Sequence, residues 1–273
     1  MRHETAVEMA AAHALPPPPP YRYSSLPGFL EIYRQVCRAL QTSEDFERVI
    51  NEHARSMAAQ GIAYSEISFN PSLHPGDEWI DGVVRGRRRA ERDLGVEISW
   101  LVELVREESV ESNRRALDIA LATEGVAGIG LVGDESAPSA PLLPIVERAH
   151  GAGLRFMPHA GQTGGPEVVR DAVENLGADR IAHGVSSLED PSLLRLLAER
   201  TICLCVCPSS NARIGLRPDY GRIAEAGVPL TVSSDDPAMV GTTLTSELDL
   251  AEKQLGLSRE RLFADSWGYR FSA

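Results

Sequence analysis

The sequence lacks most of the features by which a chain declares a membrane, a nucleic acid or a disulfide scaffold as its setting. No window of its 273 residues reaches the ~18 consecutive apolar residues that a membrane-spanning helix needs. The opening Met1-Arg2-His3-Glu4-Thr5 carries charges and runs into an Ala-rich amphipathic stretch, which is not the apolar core of a secretory signal. Basic residues are outnumbered, 27 Lys and Arg against 39 Asp and Glu, and the formal net charge is −12. That balance excludes a general nucleic-acid binder, because neutralising phosphates takes clustered positive charge. Cysteine is scarce, with four residues at Cys37, Cys203, Cys205 and Cys207. None is spaced as the Cys-x-x-Cys of a structural zinc or redox site. The last three alternate along one apolar run, so on a strand they share a face. They read as small apolar residues of a core strand. Unpaired thiols point to a reducing compartment, and a cytoplasmic location is expected.

What the chain does contain is ordinary globular composition, 43% hydrophobic and 24% charged, arranged in a repeating rhythm. A short helix over 4–14 ends at the five prolines Pro16 to Pro20, which cannot continue it and read as a stiff surface connection. Helices are expected at 26–40 and 44–60, then a strand at 62–69 with alternating character. From there helices at 79–95, 110–124, 140–152, 166–176, 190–199 and 219–226 alternate with strands at 96–102, 126–131, 154–158, 179–182, 201–206 and 228–233. A last helix covers 244–254. Strands alternating with helices imply parallel βαβ units. Seven strands with polar and Gly-rich segments at their C-terminal ends predict an α/β fold, a (β/α)8 TIM barrel with its first strand missing. A doubly wound sheet ranks second, because no Gly-rich turn follows the first strand. No linker after residue 28 marks a boundary, so one domain is expected over 1–273. Nothing in the sequence sets an oligomeric state.

In a parallel barrel, function gathers at the C-terminal ends of the strands. Those positions are Asn70-Pro71, Gly133-Asp134-Glu135, His159-Ala160-Gly161-Gln162, His183-Gly184, Cys207-Pro208-Ser209-Ser210-Asn211 and Ser233-Ser234-Asp235-Asp236-Pro237. Two histidines and two adjacent aspartates there make a metal-site candidate, since imidazole and carboxylate suit a borderline cation such as Zn2+. Each alone has a plainer reading. A single His packs and hydrogen-bonds, and Asp-Asp-Pro starts helices.

Taken in order, Met157-Pro158-His159-Ala160-Gly161, Arg180-Ile181-Ala182-His183-Gly184 and Ser233-Ser234-Asp235-Asp236-Pro237 resemble the adenosine deaminase family. So do Gly133-Asp134-Glu135, Leu26-Pro27-Gly28-Phe29-Leu30 and, for its bacterial members, Cys207-Pro208-Ser209-Ser210-Asn211. The resemblance runs from about residue 4 to residue 271. It implies hydrolytic deamination of adenosine or a related aminopurine, with one zinc ion as cofactor. The partner implied is a small purine nucleoside or similar substrate, with neither nucleic acid nor membrane. By the same resemblance His159 and Asp235 are metal ligands, and His183 stabilises the attacking hydroxide. Gly133 and Asp236 bind the purine ring, and Leu26, Phe29, Leu30 and Tyr33 cover its pocket. Position 162 is the catalytic position that acts on the ring nitrogen beside the attacked carbon. The cytidine-type zinc deaminases are excluded, because their His-x-Glu with Pro-Cys-x-x-Cys is absent.

The sequence departs from the family in two places. Residue 162, directly after His-Ala-Gly, is glutamine where the family has glutamate. An amide keeps the shape but cannot exchange a proton near neutrality, and losing general acid catalysis costs about 10²–10⁴ in rate. The family's His-x-His pair, which supplies two further metal ligands from a first strand, has no counterpart, since His3, His13, His53 and His74 are isolated or wrongly spaced. Two explanations stand side by side: a first strand encoded upstream of Met1, or a decayed or repurposed gene. Beside deamination, two readings therefore stay open: a non-catalytic purine-binding pseudoenzyme, and a family member acting on a different amino-substituted substrate.

Overall fold

The computed structural model describes residues 1–256 and 258–271. Three helices come first: α1 (His3–Ala12), α2 (Leu26–Cys37) and α3 (Ser43–Ala59). Then β1 (Tyr64–Phe69), α4 (Ile80–Leu94), β2 (Glu97–Val105), α5 (Val110–Ala122), β3 (Val126–Val132), α6 (Leu143–Gly151), β4 (Arg155–Ala160) and α7 (Pro166–Glu174) alternate. The alternation continues through β5 (Arg180–His183), α8 (Pro191–Glu199), β6 (Cys203–Val206), α9 (Pro208–Arg213), α10 (Tyr220–Glu225) and β7 (Leu230–Val232). Three helices, α11 (Pro237–Val240), α12 (Leu244–Leu255) and α13 (Arg259–Gly268), complete the order. All seven strands pair in parallel and in sequence order, β1 through β7, as an incomplete TIM-type barrel. Among the described residues β1 and β7 do not pair with each other, so each is an edge.

Period-two alternation explains why these strands are buried on both faces. Along β2, Ile98, Trp100, Val102 and Leu104 pack outward under the helices, with Leu117 and Ala120 of α5 among their partners. Ser99, Leu101 and Glu103 take the opposite face, toward the barrel interior. Ile129, Leu131, Phe156, Ile181, Leu204, Val206 and Leu230 continue the outer layer around the sheet. The register carries the inner face with it: Glu66 opposes Ser99, Leu101 opposes Gly128, and Glu103 opposes Gly130, which opposes Met157.

Local chemistry sets the element ends. Thr42 and Asp45 form a capping box at the start of α3, Asp190 caps α8 through two backbone N–H groups, and Gly95 ends α4 in the left-handed region. At the N-terminal end of the barrel, Arg180 pairs with Glu66, donates to the Tyr269 carbonyl at 2.9 Å and lies 3.8 Å over the Phe271 ring. Phe271 in turn joins Leu101, Ala127 and Met157 in the interior. The predicted elements recur within a few residues. Pro208 and Pro237 start two further short helices, α9 and α11; the second is the helix start that Asp-Asp-Pro allows, and the first lies where only a strand-end segment is evident in the sequence.

Candidate active site

His159 leaves β4 and His183 leaves β5 at neighbouring positions of the same barrel end. By register His183 sits opposite Ala160, which faces the helices, and not opposite His159. Its backbone, however, takes φ +66°, a conformation a non-glycine residue adopts only under constraint. The His183 ring lies 5.3 Å from that of His159. His183 is buried and His159 half-buried, and the Nδ1 atom of each is shielded from solvent with no hydrogen-bond partner. Burial holds both imidazoles below their ordinary titration range, and so in the neutral form that ligates metals.

Asp235, the second non-glycine residue of the site in the left-handed region (φ +54°), accepts a 2.6 Å hydrogen bond from Ser210 Oγ. One ligand atom each from His183, Cys207 and Asp235 lies within 4.8 Å of the others. Imidazole, thiolate and carboxylate are all zinc donors, and the two orphaned imidazole nitrogens are the atoms a cation would satisfy. The residues present therefore fit a zinc ion. The grouping differs in detail from the expected His159 and Asp235 pair: Asp235 clusters with His183 and Cys207, and His159 adjoins through its contact with His183. Alternation placed Cys207 with Cys203 and Cys205 as core residues. All three are buried, but Cys207 lies past the last residue of β6, and its sulfur belongs to the site.

Gln162 follows in a loop built on one carboxylate. Glu135, buried and just past β3, accepts from four backbone N–H groups: Gly161 at 2.7 Å, Gln162 at 3.1 Å, Thr163 at 3.4 Å and Gly164 at 2.9 Å. Four convergent donors fix the loop by charge-assisted bonds. The Gln162 side chain donates from Nε2 to Asn211 Oδ1 at 3.1 Å, and Asn211 donates on to the Tyr220 hydroxyl at 2.9 Å.

Gly133 has φ +102°, and a side chain there would run into the Glu107 carboxylate, which accepts from the Asp134 N–H at 2.8 Å. Glycine is thus required where the family resemblance places a backbone contact to the ring. The Asp236 carboxyl is raised to about 7 by burial and by the charge of Asp235. On α2, Phe29 stacks on Tyr33 and both pack against the cluster of Ala6, Ile32, Val36 and Met239, which joins α2 to α11 beside the turn that Asp236 opens. Leu26 and Leu30 share the helix, half-buried, outside that cluster. Arg213 holds the approach to α2 by donating to the Tyr21 carbonyl at 2.7 Å and lying over the Tyr23 ring.

Glu103, 5% exposed on the inner face of β2, has no counterpart among the residues singled out from sequence. Burial raises its carboxyl, opposed chiefly by the charge of the His159 imidazole. The signal was present as an acidic residue at an inward position of an otherwise apolar strand.

Residues 15–265 match the family described as Adenosine deaminase. The aminodeoxyfutalosine deaminase of Streptomyces coelicolor is 39% identical over 94% of this chain and 72% of its own length. The adenine deaminase of the same organism is 35% identical over 89% and 75%. Among solved structures, the adenine deaminase of Arthrobacter aurescens superposes with a TM-score of 0.92 at 27% identity, covering 100% of this chain and 90% of that one. A Burkholderia ambifaria amidohydrolase solved with bound Zn shares the fold, with a TM-score of 0.88 at 22% identity, over 100% and 83%. With its paired histidines, its Asp235-Asp236 turn and its His-Ala-Gly loop in this arrangement, the chain belongs to the adenosine deaminase family.

Proposed function

We propose that the protein is an aminopurine aminohydrolase in which the acid step is weakened. The observation that carries this reading is the convergence of His183, Cys207 and Asp235 within 4.8 Å, beside the ring of His159. When bound, a zinc ion would supply the Lewis acidity that makes water a nucleophile at neutral pH. His159, His183, Asp235 and Cys207 are the residues that would hold it. Gly133 and Asp236 orient the ring, and Phe29 and Tyr33 exclude water from above. Adenine and aminodeoxyfutalosine, named in the relatives, are the first substrates to test.

Gln162 decides how far the chemistry runs. Hydrolysis at the amine-bearing carbon is assisted by a proton on the adjacent ring nitrogen, and an amide cannot deliver one. The hydrogen bond from Gln162 to Asn211 favours a second reading, purine binding without turnover, because it commits the amide to the protein. Ammonia release by the zinc-supplemented protein and by its Gln162→Glu variant separates the two. Release by both supports a slow deaminase, release by the variant alone supports a binding protein, and release by neither removes the aminohydrolase reading.

A further inference from the structure

Asn211 is fully buried and is used from both ends of its amide. Its Oδ1 accepts from Gln162 Nε2, and its Nδ2 donates to the Tyr220 hydroxyl. An amide has one donor end and one acceptor end. One N–H of the Gln162 NH2 group donates to Asn211, which turns that end of the Gln162 amide toward Asn211 and leaves the carbonyl Oε1 as the end turned to a ligand; among the described residues no protein donor reaches that oxygen. The loop beneath is fixed by Glu135, so the side chain works from a rigid base.

A carbonyl oxygen accepts and never donates. On the purine-pocket reading above, on which this inference rests, residue 162 faces the ring nitrogen next to the attacked carbon. In a 6-aminopurine that nitrogen is bare and would confront Oε1 with a second acceptor. In a 6-oxopurine, the lactam that deamination yields, the same nitrogen carries hydrogen and donates. We propose that Gln162, oriented by Asn211, makes the pocket select purines with N–H at this ring position, so that 6-oxopurines are held more tightly than 6-aminopurines. The site is thereby a product-holding one, whatever its rate of turnover.

Isothermal titration with hypoxanthine against adenine, and inosine against adenosine, tests this, with ammonia monitored so that unconverted amine is what is titrated. The expected preference for the oxo form is about 10-fold or more, the scale of leaving one buried acceptor unmatched. In the Gln162→Glu variant the preference falls toward one, because a carboxyl donates when protonated and accepts when ionised. Asn211→Asp keeps the preference, since a carboxylate can only accept and therefore holds the Gln162 NH2 group inward. Equal binding, or tighter binding of the amine by the unaltered protein, overturns the inference and leaves the pocket reading intact. A reversed preference in Asn211→Asp overturns it too, because the orientation of Gln162 is then not set by its hydrogen bond to residue 211. Failure of all four purines to bind either the native protein or the Gln162→Glu variant removes the pocket reading with it.

Discussion

The carboxylate of Glu103 fills the space that a side chain at Gly130 would occupy. The two are register partners on β2 and β3, and a Cβ placed on Gly130 meets Glu103 Oε2 well inside van der Waals contact. Glycine at 130 and glutamate at 103 are thus one packing solution. The Gly130→Ala substitution should cost about 1–3 kcal/mol, the usual scale for overpacking a full interior. The cost should shrink when Glu103→Ala is also present, because the obstructing atoms are gone. Urea denaturation of the four proteins of this cycle measures the coupling, and equal effects of Gly130→Ala in both backgrounds would refute the shared packing.

Arg180 and Glu66 form a buried ion pair, with side chains 6% and 11% exposed. Removing one charge strands the other in a low-dielectric interior. Arg180→Leu is expected to lose about 3–5 kcal/mol of stability, with the paired Arg180→Leu, Glu66→Leu protein recovering much of it. Thermal or urea unfolding of the three proteins checks the order.

How much of this was legible in the sequence follows from which signals are local. The strands announce themselves by apolar runs between helix-period segments, and β2 to β6 fall within a few residues of expectation because burial on both faces writes that pattern directly. His159, His183 and Asp235 were legible as polar residues at strand ends. The inward turn of His183 was not, since no residue type signals a histidine at φ +66°. Nor was the place of Cys207, which depends on where β6 stops. Asn211 and Glu135 stood in recognised motifs, but their partners are 49 and 26 or more residues away, and only closure of the barrel brings them together.

Glu135 organises residues 161–164 from a distance. Glu135→Gln replaces one accepting oxygen with an NH2 group that confronts backbone N–H donors. Amides of Gly161 to Gly164 should then exchange with deuterium at least about 10-fold faster, as each lost charge-assisted bond is worth roughly 1.5–3 kcal/mol. Unchanged protection of these four amides would show that the loop holds itself.

His74 gives the fold a pH dependence of known sign. It is buried against Phe46 and Trp79, and burial lowers its imidazole from 6.5 to about 4. The unfolded chain therefore binds a proton between those values where the folded protein does not. Its contribution is fully present above pH 6.5 and is lost as pH falls toward 4. The unfolding free energy of a His74→Phe protein should decline less steeply than that of the native protein across that window. Parallel slopes would show that His74 is not among the groups responsible.

The central claim is that residue 162 withholds the proton donor that this family site uses. Its most direct test is the rate of ammonia release from adenine and adenosine by the zinc-loaded protein before and after Gln162→Glu. The account predicts a gain of about 10²–10⁴ in the glutamate form, the range that general acid catalysis supplies. A glutamate form no faster than the native protein would contradict it.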